Sequence, residues 1–384
     1  MLRTNLGRRI PEGMRDLLPE EIALQERLEG DILALFQLWS YRRVLTPTLE
    51  YGACVQPNIE GEGIFYKFFD SKGRFLALRP ELTTPIARLV STRMRGEPLP
   101  LRLCYGADVY RDIPVRHKEF RQAGVELVGS GAELADAEVI ALAVEALTVI
   151  GLENYRFNLG HMGIFSALML EAGVDGELRG NLEDAMARKD LVGVENLVAR
   201  SDLPQKMREL CIRLPHFRGG EEILDEVLRW SARPELREAV ESLRKIYRLL
   251  DAFGVQGKVS LDLGMLRGFD YYTGTIFEGY VSGVGFPVVE GGRYDALYAG
   301  FGLSQPATGF AVHLGTLLEQ FPPIAVAAAE MLVYGAKEED VVGQCRKLRA
   351  QGRKVEMALD IVSEEEARGI AGLKNIPEVI RADS

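Results

Sequence analysis

"EFRQAGVELVG", residues 119–129, reads as a strand that stops at a glycine. Side chains two and four positions apart along a strand share a face, so Gln122 and Glu126 point the same way. An amide and a carboxylate side by side are more than a half-buried sheet needs. The preceding run, "LRLCYGADVYRD", reads as a second strand, and the charged segment "DIPVRHK" joins the two. Two strands linked by so short a segment form an antiparallel pair, which sets the fold class of the main body.

The same reading extends outward in both directions. Residues 19–41 place Ile22, Leu24, Leu28, Ile32, Leu35 and Leu38 at helical spacing behind an acidic first turn. "RRVLTPTLE" reads as a strand interrupted by Pro47, as expected at an edge or an interface. "FYKFFDSKGRFLALRPE" reads as a hairpin turning at "DSKG", and "TTPIARLVSTRM" as a short helix. "AELADAEVIALAVEALTVIG" is a helix ended by Gly151, and "YRFNLG" a strand. Helical patterns fill residues 162–253, and strands return with "KVSLDLGM", "DYYTGTIFEGYV" and "PVVEGGRYD". Near the end, "EMLVYG", "EEDVVGQCRKLRAQG" and "RKVEMAL" make one β-α-β unit, with a little more in the tail. The expected class is α+β. The expected division is a core of residues 1–161 and 254–324, a helical insertion at 162–253 and an α/β unit at 325–384.

Composition narrows the function. The 384 residues contain apolar material for a substantial core and no run that would span a bilayer, so a soluble, cytoplasmic protein without a membrane partner is expected. The N-terminus has basic residues but no apolar run after them, unlike a secretory signal. A net charge of −10 weighs against a main role in gripping a polyanion. Cys54, Cys104, Cys211 and Cys345 are scattered, and His117, His161, His216 and His313 have no metal-site spacing, so neither a metal nor another cofactor is expected. Phosphate-loop and nucleophile-elbow motifs are absent from the sequence.

Polar side chains gather elsewhere. "ALRPELT" sets Arg79, Glu81 and Thr83 on alternate positions, read as one face of a strand; Arg79 and Glu81 also fit a structural ion pair. Arg111 ends a strand, and "LRGFDYYTG" supplies Arg267, Asp270, Tyr271 and Tyr272 beside glycines. "GFAVHLGTLL", residues 309–318, reads as a glycine-led turn entering a short apolar helix. Carboxylates accept from an ammonium group, an amide and tyrosines orient a polar side chain, and arginine clamps a carboxylate. The set describes a pocket for a small zwitterion such as an amino acid.

Read in order, "IPEGMRDLLPEE", "YRRVLTPTLE", "LRPELTTPIAR", "YRDIPVRHKEFRQAGVE", "LRGFDYYTGTIFE" and "GGRYD" resemble histidyl-tRNA synthetase, a class II aminoacyl-tRNA synthetase. The resemblance implies a six-stranded antiparallel sheet flanked by helices and a dimer formed around Pro47. It assigns L-histidine recognition to Glu81, Thr83, Gln122, Glu126, Tyr271 and Tyr272. It places Arg111 on the nucleotide α-phosphate and acyl group, and Arg267 in histidine activation. Two departures stand out. Thr316 falls where that family carries an arginine for the ATP γ-phosphate, and His313 falls where it carries glycine. The segment "DIPVRHK" and the C-terminal unit are also shorter than their counterparts, so tRNA is not expected as a partner. Retention of the amino-acid half with damage to the ATP half resembles the synthetase-like regulatory subunits of ATP phosphoribosyltransferase. Those assemble as hetero-octamers of four regulatory and four short-form catalytic chains, take part in histidine feedback and activate their partner. An active histidine–tRNA ligase and an amino-acid sensor for another partner remain open at this point.

Overall fold

A computed structural model describes residues 8–55, 65–112, 118–266, 272–324, 326 and 329–382. The chain divides into two compact units. The first holds residues 1–16 and 25–321, and the second holds residues 17–24 and 322–384.

The first unit is organised by a nine-stranded sheet. Its six central strands run antiparallel in the order Leu101–Tyr110, Glu119–Val128, Ala307–His313, Val289–Arg293, Thr275–Val281 and Tyr155–His161. Arg42–Arg43 adds in parallel at one side, and Val259–Asp262 with Arg218–Gly219 at the other. This is the α+β architecture expected, with three strands added to the six. The residues of "RRVLTPTLE" form two short strands rather than one. Arg42–Arg43 joins the large sheet, and Leu49–Tyr51, beyond Pro47, joins a small sheet with Lys67–Phe69 and Phe75–Leu78.

"ALRPELT" departs from the expected alternation. The strand ends at Leu78, and Thr83 opens the helix Thr83–Arg93. Pro80 has no N–H to extend a ladder, so the chain leaves the sheet before Glu81. Leu82, just before that helix, and Ile86 and Val90 within it are buried with Leu101, Leu103, Tyr105 and Val109 of the neighbouring strand. The helix therefore lies over one face of the sheet and carries Glu81 and Thr83 to it at its N-terminal end.

"GFAVHLGTLL" also differs from its expected turn. Gly309 lies inside the strand Ala307–His313, directly opposite Glu126, and the helix begins only at Leu314. A Cβ at residue 309 would stand 2.1 Å from Glu126 Oε2 and 2.4 Å from the Val125 carbonyl oxygen. Glycine is required there by close approach, not by a turn. Gly309→Ala is expected to destabilise the protein by about 1–3 kcal/mol through overpacking, measured by chemical denaturation.

The stretch 162–253 forms six α-helices, and the longest, Pro234–Ala252, buries Leu236, Val240, Leu243, Ile246 and Leu250 at helical spacing. It packs on the helices Glu133–Val149 and Met162–Ala172. No helix among the described residues is long and apolar enough to cross a membrane.

The second unit contains a parallel three-stranded sheet, with Met331–Tyr334 between Val355–Met357 and Glu378–Arg381. The central position follows from "MLVY", four apolar residues that are all buried. The tail adds a full helix, Glu364–Leu373, and a strand beyond the single β-α-β unit expected. Ser363 and Glu366 start that helix with reciprocal bonds: Ser363 Oγ accepts from the Glu366 amide, and the Glu366 carboxylate from the Ser363 amide.

Candidate functional site

The pocket grows from strand register. Gln122 stands opposite His313, Gly124 opposite Ala311, and Glu126 opposite Gly309. The next strand places Glu290 opposite Ala311 and Gly292 opposite Gly309. On the other side, Tyr105 faces Gly124. Since alternate positions share a face, all these residues form one polar surface floored by small side chains. The helix Thr83–Arg93 brings Glu81, Leu82 and Thr83 over it. Glu81, Thr83, Arg111, Gln122 and Tyr272 line one cavity together with Tyr105, Glu290 and Tyr294. Glu126 sits against Gly309, which lines the same cavity. Arg267 and Tyr271 lie outside the described residues, as do Asp270 and His117.

Both carboxylates are deeply buried, Glu81 at 4% and Glu126 at 1% exposure. Glu81 accepts from the Thr84 amide with both oxygens, at 3.2 and 3.0 Å, in the first turn of its helix, where backbone N–H groups favour negative charge. Burial nonetheless raises the Glu81 carboxyl above its ordinary range. Burial pushes Glu126 well above that range against a hydrogen bond from Thr83 that lowers it, and the charge of Glu81 adds to the rise. Tyr294 donates its hydroxyl to Glu126 Oε2, while Oε1 is buried with no hydrogen-bond partner among the described residues. Such a pair is suited to receive a cation, which would repay the cost of ionising both groups.

Arg111 is fixed at the rim. Its Nε donates to the Pro80 carbonyl at 2.9 Å, and its guanidinium lies over the Phe120 ring at 5.2 Å. The Phe120 ring in turn contacts the His313 ring at 5.5 Å. Arg79 belongs elsewhere: its Nε and Nη1 donate to the carbonyls of Asp108 and Thr46 at 2.8 and 2.7 Å, tying strand ends together. Thr316, half-buried, lies on the short helix Leu314–Leu317 that follows His313.

Tyr105, Glu290 and Tyr294 were not singled out from the sequence. The signal for two of them was present, since Glu290, Gly292 and Tyr294 alternate along "VEGGRYD" and so share a face. Gly292 is the close-packed member. A Cβ on it would stand 2.8 Å from the Tyr272 ring.

Comparison with known proteins gives a consistent result. The histidyl-tRNA synthetase family profile matches residues 13–317. A protein named ATP phosphoribosyltransferase regulatory subunit from Desulfitobacterium hafniense is 56% identical over 380 residues, covering 99% of both chains. A Moorella thermoacetica protein of the same name is 41% identical, covering 98% of both. A solved structure from Bacillus halodurans C, described as an ATP phosphoribosyltransferase regulatory subunit/histidyl-tRNA synthetase, superposes with a TM-score of 0.88 at 32% identity. It covers 98% of each chain.

Proposed function

The chain belongs to the ATP phosphoribosyltransferase regulatory subunits within the histidyl-tRNA synthetase family, and we propose that its pocket binds L-histidine without activating it. It is a non-catalytic subunit that serves the first step of histidine biosynthesis by activating a short-form catalytic chain and relaying histidine feedback to it. The observation that carries the pocket reading is an imbalance. Glu81 and Gln122 line one small cavity and Glu126 is buried against its Gly309 floor, whereas the resemblance sets Thr316 where an arginine would meet ATP with a delocalised positive charge. Loss of one such electrostatic clamp costs about 3 kcal/mol at a transition state, on the order of a hundredfold in rate. His313 adds a ring and its hydrogen bonds where a glycine would leave space.

Cytoplasmic location, self-association and a hetero-octamer of four regulatory and four catalytic chains are part of the same proposal. Beyond Pro47, Leu49, Tyr51 and Phe68 share one exposed face of the small sheet, and Leu45 is exposed just before it, apolar side chains that pairing of two copies would cover. Regulation by histidine requires that it bind one state of the assembly more tightly than the other.

The test is enzymatic. The purified chain is expected to show no pyrophosphate exchange dependent on histidine and ATP, and no phosphoribosyl transfer alone. Added to the short catalytic chain, it is expected to raise turnover, and histidine to lower it again. Histidine-dependent exchange by the chain alone would restore the ligase reading, and failure to activate would favour a sensor for another partner.

A further inference from the structure

Resting on the reading of the pocket as a histidine site, we propose that a Glu290–His313–Gln122 chain sets the pocket's polarity. His313 is its positioning residue: it holds the Gln122 amide so that the carbonyl oxygen is left to accept from the ligand's ammonium group.

His313 Nε2 lies 2.8 Å from Glu290 Oε2, and His313 Nδ1 lies 3.2 Å from Gln122 Nε2. A carboxylate only accepts, so Nε2 carries the imidazole proton. The Gln122 amide nitrogen stands against Nδ1, and an NH₂ group only donates, so Nδ1 accepts. Of the two ends of the Gln122 amide, only the NH₂ can satisfy it. Oε1 is left as the amide's acceptor for the cavity that Gln122 lines. Register supports the assignment. Gln122 and His313 are directly opposed across two strands, and Glu290 stands one pair along on the adjoining strand, opposite Ala311. Burial enforces it, since Gln122 is 2% and His313 8% exposed and water competes poorly for either. The ring is held further by Phe120.

The outcome is that Gln122 Oε1 joins the Glu81 and Glu126 carboxyl groups as an acceptor, beside the hydroxyls of Thr83, Tyr105 and Tyr294. Without His313 the amide turns freely and can present NH₂, which would repel an ammonium group. The residue that fills the space of a glycine thus also orients a ligand-contacting amide, as outer partners orient ligands in metal sites.

The test is calorimetric titration of the full chain with L-histidine and with imidazolepropionate, which lacks only the ammonium group. His313→Phe keeps ring volume but no nitrogen. It is expected to weaken histidine binding about tenfold and to shrink the preference for histidine over imidazolepropionate by a similar factor. His313→Asn sets its Oδ1 where Nδ1 stood and is expected to recover both to within about threefold. Glu290→Gln is expected to weaken histidine severalfold more in the parent chain than in the His313→Asn background, where the link through the ring is already cut and only the carboxylate's own place in the cavity lining is lost. A role in packing alone predicts an unchanged preference in His313→Phe, and that result, or an equal effect of Glu290→Gln in both backgrounds, overturns the relay alone. Absence of histidine binding by the parent chain overturns the pocket reading and the relay with it.

Discussion

Glu126→Gln is expected to weaken histidine binding more than a hundredfold while making the ligand-free protein more stable, by about 1–3 kcal/mol at pH 8. The two effects share one cause. Glu126 is buried beside Glu81, and burial outweighs the hydrogen bond from Thr83, so its charged form is costly until a cation arrives. Its folded pKa lies well above the ordinary 4.5 of the unfolded chain. The native state therefore holds the proton over a pH range in which the unfolded state releases it, and stability falls as pH rises through that window. Below about pH 4.5 both states are protonated and the penalty is absent. Glutamine carries no titrating proton and can still accept from Tyr294. The gain from Glu126→Gln should thus be near zero at pH 4.5 and grow as pH rises, read from denaturation curves at a series of pH values. A stabilisation that does not vary with pH would mean that ionisation of Glu126 is not its source. In the parent chain, binding of a cationic group should release a proton, visible as a dependence of the calorimetric heat on the buffer's ionisation enthalpy.

The sequence disclosed these residues better than their reasons. Gln122 and Glu126 share a strand face as spacing requires, and the antiparallel body followed from the same strand. Glu81 and Thr83 reach the pocket, but from a helix N-terminus, because Pro80 ends the ladder that alternation had assumed. Gly309 marks the pocket floor, yet its glycine answers the Glu126 carboxylate across the sheet, a contact that pairing creates and local sequence cannot show. His313 was legible as an oddity against the family pattern. Its bonds to Gln122 and Glu290 became visible only when three strands were set in register. The tail read as only a little more than a β-α-β unit because its strand Glu378–Arg381 is short and half exposed; it is specified by the buried strand it pairs with.

Asp136→Ala is expected to destabilise the protein by about 3–5 kcal/mol, because it strands a buried guanidinium. Arg293 is 7% and Asp136 3% exposed. Arg293 Nε donates to both Asp136 oxygens at 3.1 and 3.0 Å, and Nη2 to Oδ2 at 2.8 Å. Burial works against the Asp136 charge, and the guanidinium beside it works in its favour. Arg293 also donates to the Ser130 carbonyl and to Asp295, and its own carbonyl accepts from the amide of Thr273, next to Tyr272. Asp295 in turn accepts from the Ala307 amide, where the strand bearing Gly309 and His313 begins. The pair therefore joins the helix Glu133–Val149 to two edges of the pocket. Histidine affinity of the folded fraction should fall along with stability. Replacing both partners, Asp136→Leu with Arg293→Met, removes the stranded charge and is expected to recover most of the stability in urea denaturation. It should not recover histidine binding, since the links to Ser130 and Asp295 go with the guanidinium. A double variant that regains both would show that the ion pair serves only the core. An Asp136→Ala chain as stable as its parent would show that Ser130 and Asp295 suffice to hold Arg293.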